Sequence, residues 1–348
     1  MKQEHLVMGI FLVTLYAMFV LYEPFLMNIS IATLLALSTT AIHQKFISLT
    51  HSDLIASVIS TTLLALLFFV PIGYFLGTFT VEINALKIEQ LQKIYTTLEH
   101  FALTLPDVLK PMVDKLKESN FETNIATYAI SFTTTIGKHS GGFIKDSLLI
   151  ILFYFFVLYY GREMVRYIVQ VSGLEEKHTT QVACEISTTM SVVFYSVILT
   201  AMLEGALFGM VISYLGYNGI LFGIMYGFAS FIPVVGGVLM WVPFSIYEYS
   251  VGHEANAILL AIYSIVVISI LADTILKPLI IRYIGTYVVK MKVKTNELII
   301  FFSILAGLAS FGFWGMIIGP AITSFFLAIL RLIEVRQKSL KELVKSSS

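Results

Sequence analysis

Residues Gly219–Tyr247 read GILFGIMYGFASFIPVVGGVLMWVPFSIY. The run carries no charge, so it suits hydrocarbon better than water. It is also longer than the roughly 17–25 residues that one straight spanning helix needs. Its middle, Phe231-Ile232-Pro233-Val234-Val235-Gly236-Gly237, is the obvious place for a break. Proline removes a backbone donor and glycine permits turn geometry. Inside a bilayer such breaks survive only where protein or a water-filled cavity satisfies the freed backbone groups. A second run, Leu298–Leu332, is interrupted the same way at Ala309-Ser310-Phe311-Gly312-Phe313-Trp314-Gly315.

Six plainer apolar runs accompany these two: Leu6–Tyr22, Phe25–Ile42, Leu54–Phe79, Ser147–Tyr160, Ser191–Leu215 and Ala255–Ile281. The expected fold is therefore all-α: a polytopic membrane protein with about six full spans, two interrupted hairpin-like segments and an amphipathic helical insert. The first two runs are expected to form a hairpin around Glu23-Pro24. No small-residue cleavage site follows Leu6–Tyr22, so it reads as a span and not as a removed leader. Across 348 residues the hydrophobic share is 57% and the charged share 13%. A soluble domain is nearer 45–50% and 25%, so the excess apolar surface must meet lipid. With 22 basic and 22 acidic residues there is no basic excess to bind nucleic acid. The single cysteine, Cys184, rules out an intrachain disulfide framework, and the seven histidines show no metal-ligand spacing. No cofactor is expected.

Charge orients the chain. Arg162 and Arg166, then Arg282, Lys290, Lys292 and Lys294, then Arg331, Arg336, Lys338, Lys341 and Lys345 form three basic regions that the positive-inside rule places in the cytoplasm. Both flanks of Leu298–Leu332 then lie on one side, so that run must enter and return. The same count from Arg162 makes Gly219–Tyr247 return to the outside. The two become hairpins entered from opposite faces, as in an inverted repeat that brackets a midplane site. Both termini fall in the cytoplasm and Val81–Ser140 falls outside. In that insert Ile83, Leu86, Leu91, Ile94, Leu98, Phe101 and Leu105 follow helical spacing, and Pro106 ends the helix. Ser119 and Glu122 form a capping box for another, with Ile125, Tyr128, Phe132 and Ile136 on one face. A second amphipathic stretch, Leu174–Met190, precedes the fifth span. The expected divisions are 1–80 (N-terminal spans), 81–146 (insert), 147–190 (fourth span and amphipathic helix), 191–332 (transport core) and 333–348 (basic tail).

Three motifs in order now resemble those of the AI-2E (autoinducer-2 exporter) transporter family. Phe231-Ile232-Pro233-Val234-Val235-Gly236-Gly237 resembles its I-P-x-x-G segment. Leu271-Ala272-Asp273-Thr274-Ile275-Leu276-Lys277-Pro278 is similar to its acidic motif before a proline. Phe311-Gly312-Phe313-Trp314-Gly315 with Gly319-Pro320 resembles its glycine-rich ending. Thr274 stands where the family usually has Asn, and Glu204 where it has a Gln-like residue. The resemblance implies a permease of the bacterial cytoplasmic membrane that exports a small solute or exchanges cations for protons as an antiporter. It also implies a homo-oligomer, with five subunits as the suggested number.

Glu204 is the sharpest candidate for ion coupling, because a carboxylate in mid-span costs several kcal/mol unless paired, protonated or hydrated. Asp273 and Lys277, four apart on one helix, share a face and can pair. Pro278 frees a backbone carbonyl one turn earlier, which beside a carboxylate would suit a cation. Pro233, Gly236, Gly237, Gly312 and Gly315 shape the hairpin tips, either exposing backbone to a substrate or allowing close packing. Asn218, Glu248, His253 and Glu254 read as solvated loop residues. No P-loop and no G-x-S-x-G elbow is present, so an enzyme is not expected. The partners expected are the lipid bilayer and a small-molecule or cation substrate. Alternatives to a carrier are an oligomeric passive channel, or a membrane scaffold that binds partners through 81–140.

Overall fold

The computed structural model describes residues 2–85, 121–172, 176–232, 235–283 and 297–346. In chain order the helices are α1 (Lys2–Thr50), α2 (Asp53–Ala85), α3 (Phe121–Ser172), α4 (Glu176–Tyr214), α5 (Gly219–Ala229), α6 (Gly236–Ser250) and α7 (Glu254–Tyr263). A π-helical stretch, Ser264–Leu276, then leads into α8 (Lys277–Tyr283), followed by α9 (Glu297–Phe311) and α10 (Gly315–Ser346). The described residues contain no strand. Five helical segments are long and apolar enough to cross a membrane: His5–Thr50, Asp53–Thr78, Gly141–Val171, Ile186–Tyr214 and Glu254–Ile280. The protein is an all-α polytopic membrane protein.

The expected hairpin at Glu23-Pro24 does not form. Both apolar runs lie on the single helix α1, with Pro24 inside it. Pro24 deletes one helical hydrogen bond, but its neighbours offer no residue suited to reversing the chain. The reversal comes at His51, the one non-glycine residue with positive φ among the described residues (φ 55). The Ser52 hydroxyl then accepts from the Ile55 N–H at 3.4 Å, and Asp53 sits where the α2 dipole favours an acid. At 1.5 Å per residue α1 is about 74 Å long, more than twice the roughly 30 Å hydrocarbon core. The expected helix starting after Ser119 does appear, as the opening of α3, and it runs unbroken into the fourth span. Leu174–Met190 and the fifth span are likewise continuous in α4, from Glu176 onward. Of the expected helix from Ile83 to Leu105, the start lies in the last turn of α2; its remainder from Leu86, together with Pro106, the Ser119 cap, Pro233 and the basic loop Lys290–Lys294, lies outside the described residues.

The chain packs as two compact units. One comprises Met1–Leu64, Phe143–Ser191 and Leu298–Ser348; the other comprises Ala65–Gly142 and Val192–Glu297. In the first unit hydroxyls hold helices together. Thr39 Oγ1 and the Tyr154 hydroxyl lie 2.7 Å apart, His43 Nδ1 and Ser60 Oγ 3.0 Å apart, and Ser191 Oγ donates to the Ser38 carbonyl at 2.7 Å. The same unit contains the last interrupted run, and it is a true hairpin. Gly315 of α10 packs on Gly307 of α9, and Gly319 on Ser303, the pairing that an antiparallel return requires. Gly312 makes the tip with φ +65.

The second unit has a core of Phe208, Val211, Ile212, Tyr226, Leu260 and Ile268. Its interrupted run also folds back: Gly236 packs on the Ala229 carbonyl, and Phe222 meets Phe244 edge-on at 4.9 Å. The open end of this hairpin is tied by Glu248, which is fully buried. Its carboxylate accepts from the Tyr217 hydroxyl and from Asn256 Nδ2 at 2.9 Å, with His253 Nδ1 at 3.3 Å. Burial, then the bond to Glu248, push the Tyr217 phenol upward, so it stays a donor. Glu248 is therefore not a solvated loop residue. Asn218 is not one either: it caps α5 by accepting from Leu221 N–H at 3.1 Å and also accepts from the Tyr74 hydroxyl at 3.4 Å.

Two stability outcomes follow. Glu248→Ala would strand the Tyr217 hydroxyl and Asn256 amide and destabilise the protein by about 3 kcal/mol, read as an earlier thermal unfolding midpoint in detergent. Gly307→Val would place side-chain atoms on the Gly315 backbone and cost about 1–3 kcal/mol by overpacking. Gly141→Ala, where an added Cβ meets nothing within 4 Å, should leave the midpoint unchanged or raised.

Candidate functional site

Helix α4 presents Ser196, Thr200 and Glu204 at four-residue spacing, hence along one face. All three are buried, Glu204 to 3% residual exposure. The Ser196 and Thr200 hydroxyls have no hydrogen-bond partner among the described residues. Such oxygens in an apolar interior cost about 1–3 kcal/mol each unless water or an ion meets them. Glu204 is answered by Lys277, whose Nζ lies 3.7 Å from Oε1. That is an ion pair looser than hydrogen-bond contact. The Lys277 side chain is 37% exposed against 4% for Glu204, so the ammonium end has access that the carboxylate lacks.

Lys277 gets there because of an unusual backbone. The helix that begins at Glu254 widens into the π-helical stretch Ser264–Leu276. The Lys277 N–H donates to the Ala272 carbonyl, five residues back, and Thr274 Oγ1 donates to the Ser269 carbonyl at 3.1 Å, again five back. Pro278, one residue on and within α8, has no N–H with which to continue either register. π-Helical turns are rare and concentrate at functional sites. The Asp273 side chain lies outside the described residues, and with it the expected Asp273–Lys277 pair; the partner described for Lys277 is Glu204.

The tip glycines serve packing and turning. A Cβ on Gly237 would lie 2.5 Å from the Tyr226 hydroxyl; Gly236 and Gly315 face backbone carbonyls directly, and Gly312 supplies the positive φ. No group of three or more His, Cys, Asp or Glu able to hold a metal occurs among the described residues.

Sequence reasoning missed a second feature of α4. Gly205 and Gly209 face Gly223 and Gly219 of α5, and a Cβ on Gly205 or Gly209 would lie 2.5 or 2.6 Å from the opposing carbonyl oxygen. Above this contact lies a cavity of about 680 Å³, walled by Leu67, Phe68, Met202, Met210, Ile220 and Phe228 among others. The four-residue spacing of Gly205 and Gly209, and again of Gly219, Gly223 and Gly227, was the signal that could have revealed it.

Comparison with known proteins places this geometry in a family. A protein from Helicobacter pylori strain J99, described as a transport protein, is 36% identical over 342 residues, covering 96% of each chain. One from Helicobacter pylori strain 26695, described in the same words, is 36% identical over 343 residues, covering 96% of this chain and 97% of that one. A more distant transport protein from Aquifex aeolicus is 24% identical over 241 residues, 66% of this chain and 64% of its own. The model of the AI-2E family transporter matches residues 9–334, nearly the whole sequence. A chain with this fold, these motifs and that match belongs to the AI-2E transporter family.

Proposed function

We propose that this transport protein is a secondary permease of the bacterial cytoplasmic membrane that exports a small solute or exchanges cations for protons, with Glu204 as the coupling group. The observation that carries the reading is the buried Glu204 carboxylate, 3.7 Å from the Lys277 ammonium and on the same helix face as two hydroxyls with no hydrogen-bond partner among the described residues. A carboxylate at this depth has three ways to lower its energy: an ammonium, a proton or a cation. Exchange among them is the elementary step of coupled transport. When a proton or cation takes the carboxylate, Lys277 is released toward the surface its side chain already reaches. Ser196 and Thr200 supply neutral oxygens along the same line. Asp273 is the second coupling candidate. We take the assembly to be a homo-oligomer of five subunits, on the family resemblance; the apolar first half of α1, exposed on every side from Leu6 to Leu26, offers ample surface for partner or lipid.

The functional test uses full-length protein in vesicles with an internal pH dye and an imposed sodium or lithium gradient. Glu204→Gln should lower gradient-driven proton movement about tenfold or more, a barrier change of about 1.4 kcal/mol, while the unfolding midpoint is retained. Asp273→Asn should lower it as well. Wild-type rates in both variants would remove the coupling role. For solute export, the corresponding measurement compares metabolites inside and outside cells with and without the protein.

The continuity of α1 supports a topology other than the one with both termini inside. Arg162 lies 3.9 Å from Asp53, which favours the cytoplasmic side for the His51 turn. A continuous helix that crosses once would have its start on the side opposite the basic tail. Modification of His5→Cys by an impermeant thiol reagent from outside is expected, in a Cys184→Ser background. Labelling only after the cytoplasmic face is opened would restore two crossings at Pro24.

A further inference from the structure

We propose that the glycine-floored groove over α4 and α5 is a binding site for one acyl chain of a membrane phospholipid. The inference is independent of the coupling role of Glu204, because that carboxylate is not among the groove's lining residues.

The floor is largely backbone, because Gly205 and Gly209 press on Gly223 and Gly219 with no side chain between them. The walls are Met202, Ala206 and Met210 on α4, Ile220 and Ile224 on α5, and Leu67, Phe68 and Pro71 on α2. Along α4 the lining runs from Ile198 to Ser213. Fifteen helical rises make that about 22 Å, whereas one leaflet of hydrocarbon is about 15 Å deep. The track can therefore take an entire lipid tail.

Chemistry and surroundings select the occupant. Among the described lining residues none is charged, and Ser213 at one end is the only one with a polar side chain. A polar solute would leave its groups unpaired here. A flexible polymethylene chain asks for no polar partner and can lie along an apolar track about 22 Å long. The source is also determined by the surroundings. Met202, Met210 and Ile220 on the rim are more than 60% exposed, and they lie on or beside α2 and α4, segments apolar enough to span a bilayer. The groove is thus continuous with surface that faces lipid tails. Methionines on the wall give it the adaptable lining that a mobile chain requires.

The experiment is native mass spectrometry of the detergent-purified full chain, after extraction from membranes and again after reconstitution with phosphatidylethanolamine or phosphatidylglycerol of defined acyl length. One retained phospholipid per chain is expected for either headgroup, because the tail is what is recognised. Ala206→Trp, on an exposed wall position, should reduce retention about tenfold with unchanged helicity and elution volume. Ile220→Trp at the opposite rim should do the same, and it serves should the first variant fail to fold. A diazirine in the acyl chain should label peptides from 198–213 and 219–231 above those from 5–22, and both substitutions should abolish the excess. Equal labelling of all three regions, retention that follows headgroup alone, capture of free fatty acid in place of phospholipid, or two folded tryptophan variants with wild-type retention would each overturn the proposal.

Discussion

Two helices that double back inside hydrocarbon face a constraint that water-soluble hairpins escape. No hydrophobic force drives them together, since lipid tails are as apolar as their side chains, and every unpaired backbone group at the tip costs several kcal/mol. Close backbone contact answers the first difficulty, because dispersion rises steeply as gaps close. Here that contact is made at glycine. Gly307 meets Gly315 in one unit; Gly205, Gly209, Gly219 and Gly223 meet in pairs in the other. Tight tips answer the second. Gly315 N–H donates to the Gly312 carbonyl at 2.9 Å, and Gly236 N–H to the Ile232 carbonyl at 2.9 Å, so the turns recover part of what the helices lose. The interrupted runs can be short and still hold because they rest on backbone and not on side-chain volume.

That scaffold gives its two buried carboxylates different fates. Glu248 accepts from the side chains of Tyr217 and Asn256 and has His253 beside it, joining the α4–α5 loop, the end of α6 and the start of α7. A carboxylate so provided with donors gains little from releasing them, which makes it a fastening. Glu204 faces the Lys277 ammonium at 3.7 Å, with the Ser196 and Thr200 hydroxyls along the same face of α4. The contrast is one of partner chemistry, a cation beside Glu204 against neutral side-chain donors on Glu248, since depth alone treats them alike.

Much of this was legible in the sequence, and the failures are instructive. The hairpins could be read because Pro233-to-Gly237 and Gly312-to-Gly315 put turn-formers inside runs too long for one span. The same reasoning misplaced a hairpin at Glu23-Pro24. Proline marks a missing hydrogen bond, which a long apolar helix tolerates; reversal needs a residue able to leave the helical region, and His51 does that with no glycine nearby. Glu204 was visible because a charge amid apolar residues is conspicuous. Glu248 was not, because it follows Tyr247 near a loop, and only the fold-back of α6 along α5 brings Tyr217 opposite it. The groove escaped notice because its floor consists of absent side chains.

The backbone of the Ser264–Leu276 stretch joins these threads. A π register uses more residues per turn than an α-helix, so side chains beyond it are rotated relative to an uninterrupted α-helix. Lys277 is the first residue after the stretch, and the register therefore decides where its ammonium points. Returning one turn to α geometry would swing Lys277 by a large fraction of a turn and withdraw it from Glu204. The Glu204–Lys277 pair and the wide register at residues 264–276 therefore go together: a group that took the carboxylate from the ammonium would remove an interaction made by the residue that follows the π-helical stretch.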